Sequence, residues 1–408
     1  MTTVRGRKLP RAAAGASALL LTAALCGAGA ASAAAADGNT VELPVLRSRL
    51  TGTTDCAGGS GRQATAVPWE QVSLQLGRAW QFASGSGVKV GVVDTGVSAS
   101  APALKGRVTA VGAAGKDCVG HGTFVAGLIA AQSDQGVKFA GVARRSAIVA
   151  VRGTDERGAA TPGRVASGIE AAVGAGAEVV TVSAAFPSDT AALRSAVRLA
   201  AKKDVLLVAA AVPDSPAAGV GQEVPARDYY PAASDGVLSV IDVDVKGQRP
   251  SGSYTTGSAQ LAAPGDGVVG IGPAKSGHYI GSGASLASGY VAGAAALVRS
   301  VHPELTAAQT AALLRSSAYP DAVPRVDPYA AVTAVLSSAS TAAKASGPAA
   351  AGESAAPVRM PEDRAAGPLR RALWPTLAGV AVVVTVVWLA VIIPRGRRTG
   401  WRPSARRP

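Results

Sequence analysis

The sequence predicts an α/β fold, a doubly wound parallel sheet formed within a chain of 408 residues. Three observations carry this. Short apolar, β-rich runs recur along the middle of the chain, helix-like stretches separate them, and the first run ends on an aspartate before a tight Thr-Gly turn. Uninterrupted apolar strands fit a sheet covered on both faces, because a half-exposed strand alternates apolar and polar residues. Strands alternating with helices point to a parallel sheet, in which chemistry gathers at the carboxyl ends of the strands.

The first predicted strand is VKVGVVD (88–94). Its terminal Asp94 is either a turn-forming residue or a functional carboxylate at a strand end. A helix follows over 121–133, opened by the glycine-rich DCVGHGT (117–123). Then come a strand AIVAVR (147–152), a helix over 162–174, a strand EVVTVS (178–183), a helix over 190–203, and the strands VLLVAA (205–210) and VLSVID (237–242). The stretch GSGASLASGYVAGAAALV (281–298) reads as a small-residue helix carrying Ser282, Ser285 and Ser288 in its first half. Taken alone, a serine before an apolar run is more often an N-cap than a nucleophile.

A net charge of +14 suggests nucleic acid until it is located. Arg5, Arg7, Lys8 and Arg11 lie at one end, and Arg395, Arg397, Arg398, Arg402, Arg406 and Arg407 at the other, leaving only +4 for the rest. With few aromatics for base stacking, no nucleic-acid partner is expected. The basic start and the apolar, small-residue run after it read as a signal peptide over 1–33, with Cys26 discarded along with it. Residues 372–393 are 22 without a charge. As a helix they reach roughly 33 Å, enough for a bilayer core. The basic tail at 394–408 would lie in the cytoplasm by the positive-inside rule. The expected product is a single-pass type I protein of the cell membrane, with its bulk extracytoplasmic. Residues 337–371, rich in Ala, Ser and Pro, read as a tether. In an exported protein, Cys56 and Cys118 are candidates for a disulfide.

Only three histidines can serve a serine nucleophile as base: His121, His278 and His302. His302 precedes a proline at a helix exit, and His278 has no evident orienting acid. His121, on the first turn of its helix, can face the strand end that carries Asp94.

VGVVDTGV around Asp94, GHGTFVAGLIA around His121 and GASLASGYVAGAAALV around Ser285 resemble the three motifs of the subtilisin-like serine proteases, in that family's order. VPWEQVSLQLGRAW (67–80), DCVGHGT, LAAPGDGVVGI (261–271) and the C-terminal anchor are similar to the mycosins, membrane-anchored subtilases associated with type VII secretion. The resemblance implies Ser285 as nucleophile, His121 as general base and Asp94 as its orienter. It makes Ser183 a substrate-backbone partner, a role weighed against an ordinary strand-end serine. It also implies a Cys56–Cys118 bridge tying an extension (34–67) to the loop before His121. Whether that extension is removed or stays as a wrap is left open. The peptidase domain would span 68–336, and a protein or peptide would be the substrate. No Asp-rich calcium loop or other metal cluster is present in the sequence, so no cofactor and no metal is expected.

The chain departs from the family at one telling place. Where subtilases carry Gly-Asn, with the asparagine amide donating to the oxyanion, it has Val212-Pro213. Proline has neither a side-chain amide nor a backbone N–H to offer. Asp214 cannot replace the donor while charged. Ala284, Gly289 and Ala185 also differ from the family pattern. Two readings follow: a serine endopeptidase of reduced activity, or an inactive homologue docking within a type VII secretion membrane complex.

Overall fold

The computed structural model describes residues 41–133, 137–214 and 226–335, together with 379, 381–390, 392–396 and 400. The expected signal peptide and tether, and most of the basic tail, lie outside the described residues. Residues up to Val335 belong to one compact unit, and the rest to another.

In chain order the strands of the first unit are β1 (Lys89–Asp94), β2 (Val108–Ala110), β3 (Ala147–Arg152), β4 (Val179–Val182), β5 (Leu206–Ala210), β6 (Val237–Val243), β7 (Leu261–Pro264), β8 (Val268–Ile271) and β9 (His278–Gly281). The helices are α1 (Trp69–Ser73), α2 (Leu76–Ala79), α3 (His121–Ala130), α4 (Pro162–Gly174), α5 (Ala191–Lys202), α6 (Ala284–Val301), α7 (Ala307–Ser316) and α8 (Pro328–Thr333). Seven strands form one sheet in the order β2-β3-β1-β4-β5-β6-β7, every pair parallel. The five predicted strands all lie in it. The edges β2 and β7, and the antiparallel hairpin of β8 and β9, were not predicted, being too short or too rich in Gly and Pro to stand out.

Helices cover both faces, as continuous apolar strands require. On one side α4 and α5 pack on β1, β3, β4 and β5. Ile169, Val165 and Leu193 there are buried among Val93, Val180, Val182 and Leu207. Each such side chain contributes about 1.5–3 kcal/mol by leaving water. Thr161 and Thr190 cap the two helices by accepting from Arg164 N and Leu193 N. On the other side α3 and α6 pack together and against the sheet. Small residues make that approach possible: a Cβ on Gly289 of α6 would lie 3.2 Å from Val125 of α3. A Cβ on Gly293 would lie 2.7 Å from Val142 in the loop after α3, and one on Gly127 only 2.5 Å from Ile271 of β8. The helix beginning at His121 ends at Ala130, three residues before the predicted end, where the Gly141 backbone presses against Ala130 and Ala131.

β1 lies between β3 and β4, so the winding of the chain reverses beside it. A crevice opens at such a switch point, at the carboxyl ends of the strands. The segment after residue 40 borders it. Val45 bridges Ile280 on β9, Leu50 N donates to Arg157 O, and Cys56 is bonded to Cys118.

In the second unit, helix runs over Ala381–Gly396, part of which lies outside the described residues. Among the described residues, the helix long and apolar enough to cross a membrane is α6, which is buried in the core of the first unit. Residues 372–378 of the expected span lie outside the described residues.

Candidate active site

The crevice encloses about 810 Å³ and is lined by Asp94, His121, Ser183, Pro213 and Asp214, and by Arg47 and Arg49 of the N-terminal segment. Asp94 reaches it because β1 ends there. The chain then turns at Thr95-Gly96, and Thr95 N donates to Asp94 Oδ1 at 2.6 Å. His121 reaches it because α3 starts directly after Gly120, whose φ of 91° a residue with a side chain rarely adopts. No space separates that helix start from the turn: a Cβ on Gly122 would overlap the Gly96 carbonyl oxygen.

A buried carboxylate fastens the two segments together. Asp117 accepts from Gly120 N (2.8 Å), Thr123 N (2.8 Å), Thr123 Oγ1 (2.7 Å) and Thr95 Oγ1 (2.8 Å). Thr95 Oγ1 in turn accepts from Gly122 N at 2.9 Å. Asp117 therefore caps α3 and holds the Asp94 turn in one network, satisfying helix-end donors that burial would otherwise leave unpaired. Burial pushes its pKa up despite these bonds. Sequence reasoning missed Thr95, Asp117 and Thr123 as positioning residues. The signal was available: an aspartate four residues before the histidine and a threonine two after it.

Asp94, His121 and Ser285 meet. His121 Nδ1 lies 2.8 Å from Asp94 Oδ2 and 2.9 Å from Oδ1, and Ser285 Oγ lies 3.0 Å from His121 Nε2. All three are buried. Burial opposes charge on both members of the ion pair. At Asp94, His121, Ser183 and Thr95 outweigh it and hold the carboxyl below the usual carboxylate range. At His121, Asp94 and Asp214 outweigh it and raise the pKa well above the ordinary imidazole value. A hydroxyl, a ring and a carboxylate in series form a relay that can activate the hydroxyl as a nucleophile and return the proton to a leaving group.

The other candidates fall as follows. Ser183, just past β4, donates to Asp94 Oδ2, and Ser183–Ala185 run along the crevice wall. Its hydroxyl therefore faces the relay, while Ala184 and Ala185 beside it line the crevice. Ser288 donates to Ser285 O at 2.7 Å and lies 2.9 Å from Thr181 Oγ1. Ser282 accepts from Gly267 N at 3.0 Å. His278 is buried away from the relay, where Nδ1 accepts from Ala64 N at 3.2 Å and burial lowers its pKa. His302 lies 3.4 Å from Glu304.

Pro213 lines the crevice, but its neighbour occupies the critical space. Asp214 Oδ1 accepts the Ser285 backbone N–H at 2.9 Å, and Oδ2 accepts the Ser285 hydroxyl at 2.6 Å. That N–H, at the start of α6, is the donor an oxyanion formed at Ser285 would use. The sequence exposed the missing amide at Pro213; that the next residue folds back over Ser285 could not be read from it.

Comparison with known proteins agrees with this geometry. The Subtilase family model matches residues 85–353. Subtilisin DY of Bacillus licheniformis is 37% identical over 238 residues, 57% of this chain and 84% of its own. The structure of the MycP3 protease from the type VII (ESX-3) secretion system aligns with a TM-score of 0.60 at 30% identity, over 72% of this chain and all of the other. MycP1 with its N-terminal propeptide removed aligns at 0.58 and 27% identity, over 66% of this chain and 98% of the other. A subtilase model spanning residues 85–353, on a seven-stranded parallel sheet with Asp94, His121 and Ser285 gathered at the ends of its strands, places the chain in the subtilase family of serine endopeptidases.

Proposed function

We propose that this protein is a membrane-tethered, extracytoplasmic serine endopeptidase of reduced turnover, associated with type VII secretion, with Ser285 as nucleophile. The observation that carries this is the relay itself, Ser285 Oγ to His121 Nε2 at 3.0 Å and His121 Nδ1 to Asp94 at 2.8 Å. As Ser285 Oγ attacks the peptide carbonyl carbon, His121 Nε2 takes its proton. The tetrahedral adduct collapses, and the same proton goes to the leaving amine. Water then repeats the sequence on the acyl-enzyme, restoring the hydroxyl. Asp94 keeps Nδ1 protonated and offsets the imidazolium charge. Ser183 steadies Asp94, and the backbone that follows it, which lines the crevice, would pair with an extended peptide.

Turnover would be low because one oxyanion donor is missing at Pro213, a loss worth about 100- to 1000-fold, or roughly 3–4 kcal/mol. The domain arrangement we favour is a signal peptide over 1–33, an extension over 34–67, a peptidase domain over 68–336, a tether over 337–371, a membrane helix over 372–393 and a basic tail over 394–408. The apolar helix at Ala381–Gly396 and the mycosin neighbours support it. The Cys56–Cys118 bond favours an extension that stays attached.

One observation favours a second reading. The Asp214 carboxylate covers Ser285, as it could in a catalytically silent homologue retained as a docking component of a type VII secretion membrane complex. A fluorophosphonate probe separates the two. Labelling that disappears in Ser285→Ala is expected; complete absence of labelling under all conditions would leave only the docking role.

A further inference from the structure

Asp214 touches every part of the reaction centre that must change during acylation. It accepts both the backbone N–H and the hydroxyl of Ser285, and its Oδ2 is 3.5 Å from His121 Nε2. Its seat is shaped for it, since a Cβ on Gly283 would overlap the carboxylate. His121 is thus flanked by carboxylates at both ring nitrogens, Asp94 on Nδ1 and Asp214 on Nε2. Behind Pro213, Asp242 and Asp266 border the same small cavity as Asp214, and the Arg249 guanidinium there is committed to Asp242. Arg47 and Arg49 of the N-terminal segment line the crevice that holds the ring, but the groups bonded to its two nitrogens are both carboxylates, an arrangement that retains a proton.

The geometry points to Asp214 as a proton gate for the hydrolysis proposed above, an inference that rests on that reading. Charged, its carboxylate fills the oxyanion position and holds the Ser285 hydroxyl away from attack; protonated, it becomes the donor that Pro213 cannot be. With one proton on the His121–Asp214 pair, two arrangements have the same net charge. When the proton is on the ring, His121 is no base and the oxyanion position is blocked. When it moves from Nε2 to Oδ2, the ring is a neutral base and the carboxyl a neutral donor. An incoming carbonyl oxygen then displaces Asp214 from the Ser285 N–H, and the carboxyl turns its O–H toward that oxygen. No proton is gained or lost in this exchange. Removing the proton altogether frees the base but leaves the charged carboxylate in place.

Turnover should therefore fall on the alkaline side, where an enzyme gated only by its histidine reaches a plateau. The test is the rate of fluorophosphonate labelling of the full chain between about pH 5 and about pH 9, in wild type, Asp214→Asn and Asp214→Ala. Wild type is expected to lose about 10-fold per pH unit on its alkaline limb. Asp214→Asn should rise to a plateau and exceed wild type by about 100-fold at the alkaline end. Asp214→Ala, which clears the site without adding a donor, should plateau at a lower rate than Asp214→Asn. NMR of the His121 ring in a Ser285→Ala background gives a readout independent of turnover: Asp214→Asn should move the ring titration to lower pH. Labelling of wild type and both variants with one common pH profile, or an unmoved ring titration, overturns the gate alone. Labelling of none of the three at any pH overturns the hydrolase reading and the gate together.

Discussion

The two ends of the relay are built on different terms. At the base end, Thr95, Asp117, Thr123 and Ser183 tie the strand end at Asp94, its turn and the helix start at His121 into one hydrogen-bonded network. At the nucleophile end, the partner of Ser285 is a carboxylate where a neutral amide would serve catalysis. The first end is arranged for proton transfer, and the second withholds the charge stabilisation that transfer needs. Positioning and electrostatic stabilisation are thus separable in one site, and a chain can keep the first while altering the second.

The sharpest way to break the contrast is at the base end. Asp94→Asn leaves the shape but favours the wrong ring tautomer, and peptide hydrolysis is expected to fall about 10⁴-fold in kcat. A loss below about tenfold would mean that the network does not position the base. Next comes the bond that ties the N-terminal segment beside this end. Replacing Cys56 and Cys118 by serine releases a loop of 62 residues in sequence separation. Urea unfolding should show a loss of about 4 kcal/mol in the chain-entropy model.

At the nucleophile end, Val212→Gly with Pro213→Asn should restore a neutral donor. In the Asp214→Ala background, which clears the oxyanion position, kcat is expected to rise about 100- to 1000-fold. An unchanged kcat would locate the deficit in the substrate cleft instead.

The smallest effect concerns stability. Glu70, fully buried, accepts from Val269 N at 2.9 Å, and burial raises its pKa to about 7. It lies against Tyr290 of α6, whose own pKa is pushed well up by burial and by Glu70. Because the folded pKa lies above the ordinary value of 4.5, folding takes up a proton. The resulting stability is complete below about pH 4.5 and is lost as pH rises through about 7, a change of about 3 kcal/mol. Denaturation measured across this range should show that slope in wild type and a flatter one in Glu70→Gln.

Much of the fold was legible because its signals are local. Val179–Val182 and Leu206–Ala210 are buried throughout, as unbroken apolar runs imply, and Thr161 and Thr190 mark their helix starts. β7 and β8 were less legible, since LAAPGDGVVGI offers two strands of four residues around a Pro-Gly turn. In the site, a histidine after Gly and an aspartate at a strand end could be singled out from neighbouring residues. The role of Asp117 could have been inferred but was not. The seat of Asp214 could not, because it depends on where the chain beyond β5 meets the start of α6, 71 residues away.

By itself, the sequence determined the sheet's class, the order of its main strands and helices, and the absence of an amide at residue 213. Periodicity and side-chain chemistry are properties of short segments and survive without contacts. Tertiary structure alone decided the strand order, the closeness of Asp94, His121 and Ser285, the turning of Ser183 toward the relay and the covering of Ser285 by Asp214. Each of these is a distance between residues remote in the chain, and such distances come into being only when the helices close on the sheet.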